Sequence, residues 1–382
     1  MERFGRDICF SKCFSTKKGG FPMKRLLQYL FIVVSTLTVV FLSAPGLHAA
    51  SSFYQQHNLV SDEKNTADHT DPNLVNAWGI AFNPNSFVWI ADNGAGVSSL
   101  YDGTGAPQPL VVTIPPPTGT QGTSAPTGIV FNSTTEFIVT KGALSAPAVF
   151  IFATEDGTIA GWAPTVDANH AILMVDKSPS GAVYKGLARA ANGTDHFLYA
   201  TNFRKGTVDV FDSSFNPATL SGSFADPSIP EGFAPFGIHN FNGNLYVTYA
   251  KQDAAKHDDV KGKGNGFVNI FDSDGNLIRR LASKGKLNSP WGMAMAPADF
   301  GKFSNRVLVA NFGDGLINAF DVSTGKAVGN LQVSAGKNLA IDGLWGLSFG
   351  NGVKSQPTNV LFFTSGPNDE TDGLYGFIKP TE

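Results

Sequence analysis

The heptapeptide SPWGMAM at residues 289–295 has five near-copies in this 382-residue chain: NAWGIAF (76–82), APTGIVF (125–131), VYKGLAR (183–189), APFGIHN (234–240) and GLWGLSF (343–349). The shared glycines Gly79, Gly128, Gly186, Gly237, Gly292 and Gly346 stand 49, 58, 51, 55 and 54 residues apart. A self-similar period of this length marks a repeat architecture before any single element is assigned. Each copy opens an apolar strand. A second strand follows: FVWIADN from Phe87, EFIVTKG from Glu136, FLYATNF from Phe197, LYVTYAK from Leu245, VLVANFG from Val307 and VLFFTSG from Val360. A third usually ends in an Asp-containing turn such as DGTG, EDG or DSDG, and β-branched and aromatic residues alternating between such turns are a hairpin signal. A fourth strand is expected in five units: PLVVTI from Pro109, AILMVD from Ala171, TLSGSF from Thr219, LIRRLA from Leu277 and AVGNLQV from Ala327. The sixth unit reaches Ile378 without one, whereas Tyr54 to Val60 has no hairpin partner of its own. That segment is expected to form the outer strand of the last unit, closing the ring and removing exposed sheet edges. Six units of four strands predict an all-β, six-bladed β-propeller over residues 51–382.

Composition agrees. With 42% hydrophobic, 12% aromatic and 15% charged residues the chain is too apolar for disorder, and its 42 Gly and 22 Pro have no three-residue period, which excludes collagen. Met23-Lys24-Arg25, the uncharged run Leu26 to Leu42 and the small-residue end Ala49-Ala50 have the layout of a secretory signal. Residues 1–50 are therefore set apart as an extension plus signal peptide, with Met23 an alternative start. The mature protein is expected to be secreted or periplasmic, with an uncleaved anchor as the alternative. Both cysteines, Cys9 and Cys13, fall in this segment, so the mature domain has no thiol chemistry. Removing residues 1–50 takes seven basic and two acidic groups from totals of 28 and 31, leaving a formal charge of −8. That surface disfavours nucleic acid as a partner and disfavours anionic membranes once the signal is cleaved.

The W/P-x-G turns and the strands ending in A-D/N resemble NHL-like and TolB-like six-bladed propellers. More closely, DPNLVNAWGIAF (71–82), IFATEDGTIAGW (151–162), LNSPWGMAMAPADFG (287–301) and NFGDGLINAFD (311–321) resemble an uncharacterised family of exported, largely bacterial propellers. The resemblance spans the mature chain. It implies the fold and carries no established activity, since a propeller hosts unrelated functions.

Candidate site residues come from positions matched around the ring. Before the shared glycines stand Trp78, Thr127, Lys185, Phe236, Trp291 and Trp345. These read either as an aromatic floor at the channel mouth, for a protein, peptide or carbohydrate ligand, or as packing between blades. At the end of the second strand, Asp92, Asn93, Asn202 and Asn311, with Asp342, offer hard oxygen atoms suited to Ca²⁺. In this they resemble calcium-dependent hydrolytic propellers of the gluconolactonase type, which implies an alternative activity as a lactonase or ester hydrolase. Those propellers have a glutamate where this chain has Asn76. The same residues also cap turns through their own backbone. His239, two residues past Gly237, is the candidate general base, and there is no HExxH, G-x-S-x-G or Walker A sequence. Asp272 to Asn276 imitates the start of an EF-hand loop but lies between two strands and reads as a hairpin turn. Two long loops, 115–124 and 251–265, are expected to be solvated. The leading expectation is a non-catalytic binding module.

Overall fold

A side chain at five of the six shared glycines would collide with its surroundings, and at the sixth, Gly186, it would be tightly hemmed in at 3.0 Å. A Cβ on Gly79 would sit 2.3 Å from the Thr127 carbonyl oxygen, on Gly237 2.2 Å from that of Trp291, on Gly292 2.2 Å from that of Trp345, and on Gly346 2.6 Å from that of Trp78. The last contact joins blade six to blade one. The glycine is thus the point at which adjacent inner strands touch around the axis. Each inner strand also carries a register shift here, as between Ala77 and Ile80 or between Pro290 and Met293. The bulge frees backbone groups that threonines of the second strand then satisfy. Thr364 Oγ1 accepts the Gly346 N–H at 2.9 Å and donates to the Trp78 carbonyl at 2.5 Å, and Thr201 similarly links Gly186 to Phe236.

The computed structural model describes residues 52–381. The expected signal segment 1–50, with Met23, Cys9 and Cys13, lies outside the described residues. Blade one consists of Ala77–Phe82, Val88–Asp92, Val97–Tyr101 and Val112–Thr113. Blade two has Pro126–Phe131, Phe150–Thr154, Thr158–Trp162 and Ile172–Asp176. Blade three has Tyr184–Asn192, Asp195–Asn202 and Thr207–Phe211. Blade four has Phe233–Phe241, Asn244–Lys251, Phe267–Phe271 and Leu277–Ser283. Blade five has Pro290–Met295, Arg306–Asn311, Ile317–Asp321 and Ala327–Asn330. Blade six has Leu344–Phe349, Leu361–Ser365 and Leu374–Pro380, with Tyr54–Ser61 as its fourth strand and the short His69–Thr70 parallel beyond it. The fold is the six-bladed propeller read from the repeats.

Closure occurs as expected. Tyr54–Ser61 pairs antiparallel with Leu374–Pro380 from Tyr54 opposite Pro380 to Ser61 opposite Leu374. The buried Tyr54 hydroxyl pins the strand to blade five, donating to the Phe300 carbonyl at 2.9 Å and accepting the Phe303 N–H at 3.1 Å. Between blades the core is apolar and aromatic; Trp89, Phe150 and Trp162, for example, meet between blades one and two.

Three local expectations change. In blade two, EFIVTKG does not enter the blade. Ile138–Lys141 pairs with Leu144–Pro147 in a separate hairpin, and the second strand is Phe150–Thr154. The 58-residue gap between Gly128 and Gly186 is the trace of this insertion. In blade three, TLSGSF does not form the outer strand. After Ala218 the chain leaves the sheet and bonds to the hairpin turn of blade four, Gly222 N–H to the Asp274 carbonyl and Phe224 N–H to that of Gly275, both at 2.9 Å. A Cβ on Gly222 would lie 2.3 Å from the Gly275 carbonyl carbon, so this close approach depends on glycine. Finally, the loop 252–266 is not simply solvated, because it folds over the channel mouth. The turn Asp272 to Asn276 is a hairpin turn, with the Asn276 N–H on Asp272 Oδ1 at 2.8 Å.

Candidate functional site

The residues preceding the shared glycines converge on the axis. Trp78 and Trp345 stack with ring centroids 3.6 Å apart, and Phe312 stacks on the other face of Trp345 at 3.9 Å. Trp291 meets both tryptophans edge-on at 5.8 Å, and Phe236 meets Trp345 at 5.9 Å. Phe236 and the three tryptophans are at most 4% exposed. They are not an open floor: the rings pack between neighbouring blades, as Trp78 does on Trp345, and also meet across the axis, as Trp78 does with Trp291. Two ring nitrogens are satisfied within the plug, Trp291 Nε1 by the Lys185 carbonyl at 3.1 Å and Trp345 Nε1 by Asn76 Oδ1 at 3.3 Å.

Lys185, the cation among the aromatics, sits on top of this plug. Its Nζ lies 5.0 Å from the Trp78 ring and donates to Glu155 Oε1 and, at 3.1 Å, to Asp258 Oδ1. The side chain is 2% exposed. Burial pulls the ammonium pKa down, but the charges of Glu155 and Asp258 outweigh it, so the group stays charged and titrates above the ordinary lysine value. Around it lies a polar rim. Asn93 accepts from Asn76 and donates to Glu155 Oε2 at 2.9 Å, while Asn76 also donates to Glu370 Oε2 at 2.9 Å. Burial raises the Glu370 and Asp259 carboxyls above the usual range. A hydrogen bond with His257, joined by the charges of Lys185 and His257, holds Asp258 well below it, and the same bond raises His257. The loop 252–266 supplies His257, Asp258 and Lys261, whose Nζ covers the Phe312 ring at 4.4 Å.

The five oxygen-ligand candidates are dispersed. The buried Asp92 accepts the Ser99 N–H at 2.9 Å, and burial raises its carboxyl well above the usual carboxylate range. Asn202 donates to Asp209 at 2.9 Å; Asn311 donates to the Lys286 carbonyl and to Asp314; the exposed Asp342 accepts the Asn368 N–H at 3.0 Å. Only Asn93 belongs to the rim. Asp92 Oδ1 and Asn311 Oδ1 are buried without a hydrogen-bond partner, but they belong to blades one and five. The five residues thus serve separate local sets of hydrogen bonds, and none of the bonds described joins one of them to another. Among the described residues, the one group of three acidic or histidine side chains with ligand atoms within 4.8 Å of one another is Glu155, His257 and Asp258. Lys185 already supplies the positive charge between its two carboxylates.

His239 lies on the opposite side of the plug, in a recess of about 270 Å³ bounded by Gly79, Gly128, Gly186, Gly346, Arg189 and Trp291. Its Nε2 accepts the Met293 N–H at 3.2 Å, and burial lowers its pKa to about 4, so it is neutral near pH 7. It touches none of the rim residues described above. Glu155, Glu370 and Asp258 were not singled out from sequence. The signal for Glu155 was present, since FIFATE at 150–155 parallels VWIADN at 88–93 once the blade-two hairpin is recognised as an insertion.

No protein-family model matches the chain. Among solved structures, a glucose dehydrogenase superposes over 86% of this chain and 99% of its own, with a TM-score of 0.52 and 13% identity. A streptogramin B lyase does so over 86% and 98%, with a TM-score of 0.50 and 12% identity. At such identities the likeness is one of fold alone. In sequence the chain is 36% identical over 340 residues to uncharacterized protein R648 of Acanthamoeba polyphaga mimivirus, covering 87% of this chain and 82% of that protein. Uncharacterized protein L690 of the same virus is 34% identical over 345 residues, covering 88% and 89%. The relatives found are thus viral, where the sequence led us to expect bacterial ones. The chain belongs to the same family of six-bladed propellers as R648 and L690.

Proposed function

We propose that this protein is an exported binding module that takes a protein or peptide ligand on its outer surfaces and does not catalyse a reaction in its channel. One observation carries the reading: the upper channel is filled by Trp78, Trp345 and Phe312 in a stack with Trp291 edge-on against it, and sealed by Lys185 with both of its carboxylate partners. A reacting molecule would have to displace rings that are each other's packing partners and strip a buried ammonium of its counter-ions. Both steps are costly, because a buried charge that loses its partner is destabilised by several kcal/mol, about 3–5.

The test is a paired screen of the full chain: peptide and glycan panels for saturable binding, and lactone, ester and sugar-oxidation panels for turnover. Saturable binding that survives Lys185→Met in a folded variant supports the reading. Turnover abolished by Lys185→Met or Glu155→Gln overturns it.

A further inference from the structure

Blade three lacks an outer strand. In blade one, Val97 and Ser98 of the third strand pair with Thr113 and Val112; blades two, four, five and six also have a fourth strand. In blade three the corresponding strand Thr207–Phe211 pairs only with Asp195–Asn202. Its outer edge is covered at one end alone, where Phe211 bridges Pro217 and the Ala218 N–H reaches the Val210 carbonyl at 2.9 Å. Groups on a strand alternate in direction, so the N–H and C=O of Val208 face the same outer edge. Among the described residues they have no partner there, because the segment that would supply one is bonded to the blade-four turn.

Between the bare edge and the departed segment 217–224 lies a groove of about 750 Å³. Lys177, Arg204 and Lys205 line it, and none of the three forms an ion pair among the described residues. Asp209 in its wall accepts hydrogen bonds from Asn202, Tyr184 and Thr207, and against the three cations it leaves the lining with a net positive charge. A strand-shaped vacancy with unpaired main-chain groups and three free cations fits strand addition, in which backbone bonds give affinity and flanking side chains give selectivity.

We infer that the groove binds an extended acidic segment of a partner protein as the missing fourth strand of blade three. This rests on the binding-module reading above and names its ligand class. The charge of the groove selects the occupant. A second copy docked edge to edge would oppose Lys177, Arg204 and Lys205 to their own counterparts. The chain's own residues 1–50 carry seven basic and two acidic groups, the wrong sign for this site. A five-residue edge spans about 17 Å, so a peptide of five or six residues suffices.

The test uses the full chain and fluorescent hexapeptides of alternating glutamate and valine, their lysine–valine counterpart, and the glutamate peptide N-methylated at alternate backbone positions. The acidic peptide is expected to bind saturably and at least tenfold tighter than either of the other two. Arg204→Ser with Lys205→Ser should weaken it at least tenfold, as should Val208→Pro, which removes the edge donor without touching the pairing to Asp195–Asn202. The N-methylated peptide tests the same bond from the ligand side if Val208→Pro does not fold. Equal binding of the methylated and unmethylated peptides, equal binding of acidic and basic ones, no binding of any, or a dimer in solution that occludes the groove would each overturn the inference. Ligands of the paired screen that are indifferent to Val208→Pro would leave the binding-module reading standing while the groove falls. Turnover lost in Lys185→Met would remove that reading itself.

Discussion

Truncating Trp345 to alanine separates a structural plug from a ligand floor. The ring is buried, sandwiched between Trp78 at 3.6 Å and Phe312 at 3.9 Å, touched edge-on by Trp291 and Phe236, and hydrogen-bonded to Asn76. An aromatic side chain of this kind removes about 150–250 Å² from water, worth about 4–6 kcal/mol at ~25 cal/mol/Å². Core Trp→Ala changes cost about 3–5 kcal/mol. The two stacked faces place Trp345→Ala at the upper end, about 4–5 kcal/mol. With an unfolding entropy of about 2.1 cal/mol/K per residue over about 330 residues, each kcal/mol moves Tm by roughly 1.4 °C, so Tm should fall by about 6 °C. Urea unfolding followed by far-UV circular dichroism measures the free energy, and scanning calorimetry the shift. The near-UV signal of the stacked indoles should vanish with the substitution. A loss below about 1 kcal/mol would refute the reasoning, because it would mean that the ring is not held by its neighbours and is free to serve a ligand.

Other expectations follow from the same contacts. Gly292→Ala, whose Cβ would meet the Trp345 carbonyl at 2.2 Å, should cost at least about 3 kcal/mol or prevent folding, whereas Gly119→Ala, with open space around it and φ near +80°, should cost about 1 kcal/mol in chemical denaturation. Tyr54→Phe leaves the Phe303 N–H and Phe300 carbonyl without the hydroxyl and should lower stability by about 1–3 kcal/mol; an unchanged midpoint would show that the closing strand is not pinned there. His239 takes up a proton more readily when unfolded than when folded, so folding stability should fall as pH drops from about 6.5 towards 4, by at most about 3 kcal/mol; His239→Gln should flatten that slope in pH-dependent unfolding. The pair His257–Asp258 has the opposite sign on its histidine side. Its raised His257 pKa gives the loop 252–266 support that is complete below about pH 6.5 and lost as pH rises through the folded value, while the lowered Asp258 pKa keeps that support down to acid pH. Amide exchange in that loop, corrected for intrinsic rate, should therefore speed up above neutrality, and by less than about fivefold, since an exposed pair contributes under about 1 kcal/mol.

How much of the site was legible differs from residue to residue. Lys185 stood out in sequence as a cation in an aromatic ring of positions, but its partners did not, because Glu155 comes from blade two and Asp258 from a loop of blade four. Thr140-Lys141 was placed in the register that Thr154-Glu155 occupies, since the hairpin 138–147 has the same strand chemistry as a blade strand. Its exposed Ile138 and Leu144 show that it packs on nothing equivalent.

The sequence by itself determined the ring. A glycine every 49 to 58 residues marks each contact between inner strands, alternating β-branched and aromatic residues make the blades, and the unpartnered strand at residues 54–61 closes them; all three are local or strictly periodic signals. Tertiary structure decided what the positions do. The aromatics become a plug only when six inner strands meet on one axis, and Lys185 is neutralised only when loops of blades two and four arrive above it. TLSGSF leaves its sheet because the turn of blade four competes for its amide groups at Gly222 and Phe224, and strand propensity in one blade contains no information about a hydrogen-bond competitor in the next.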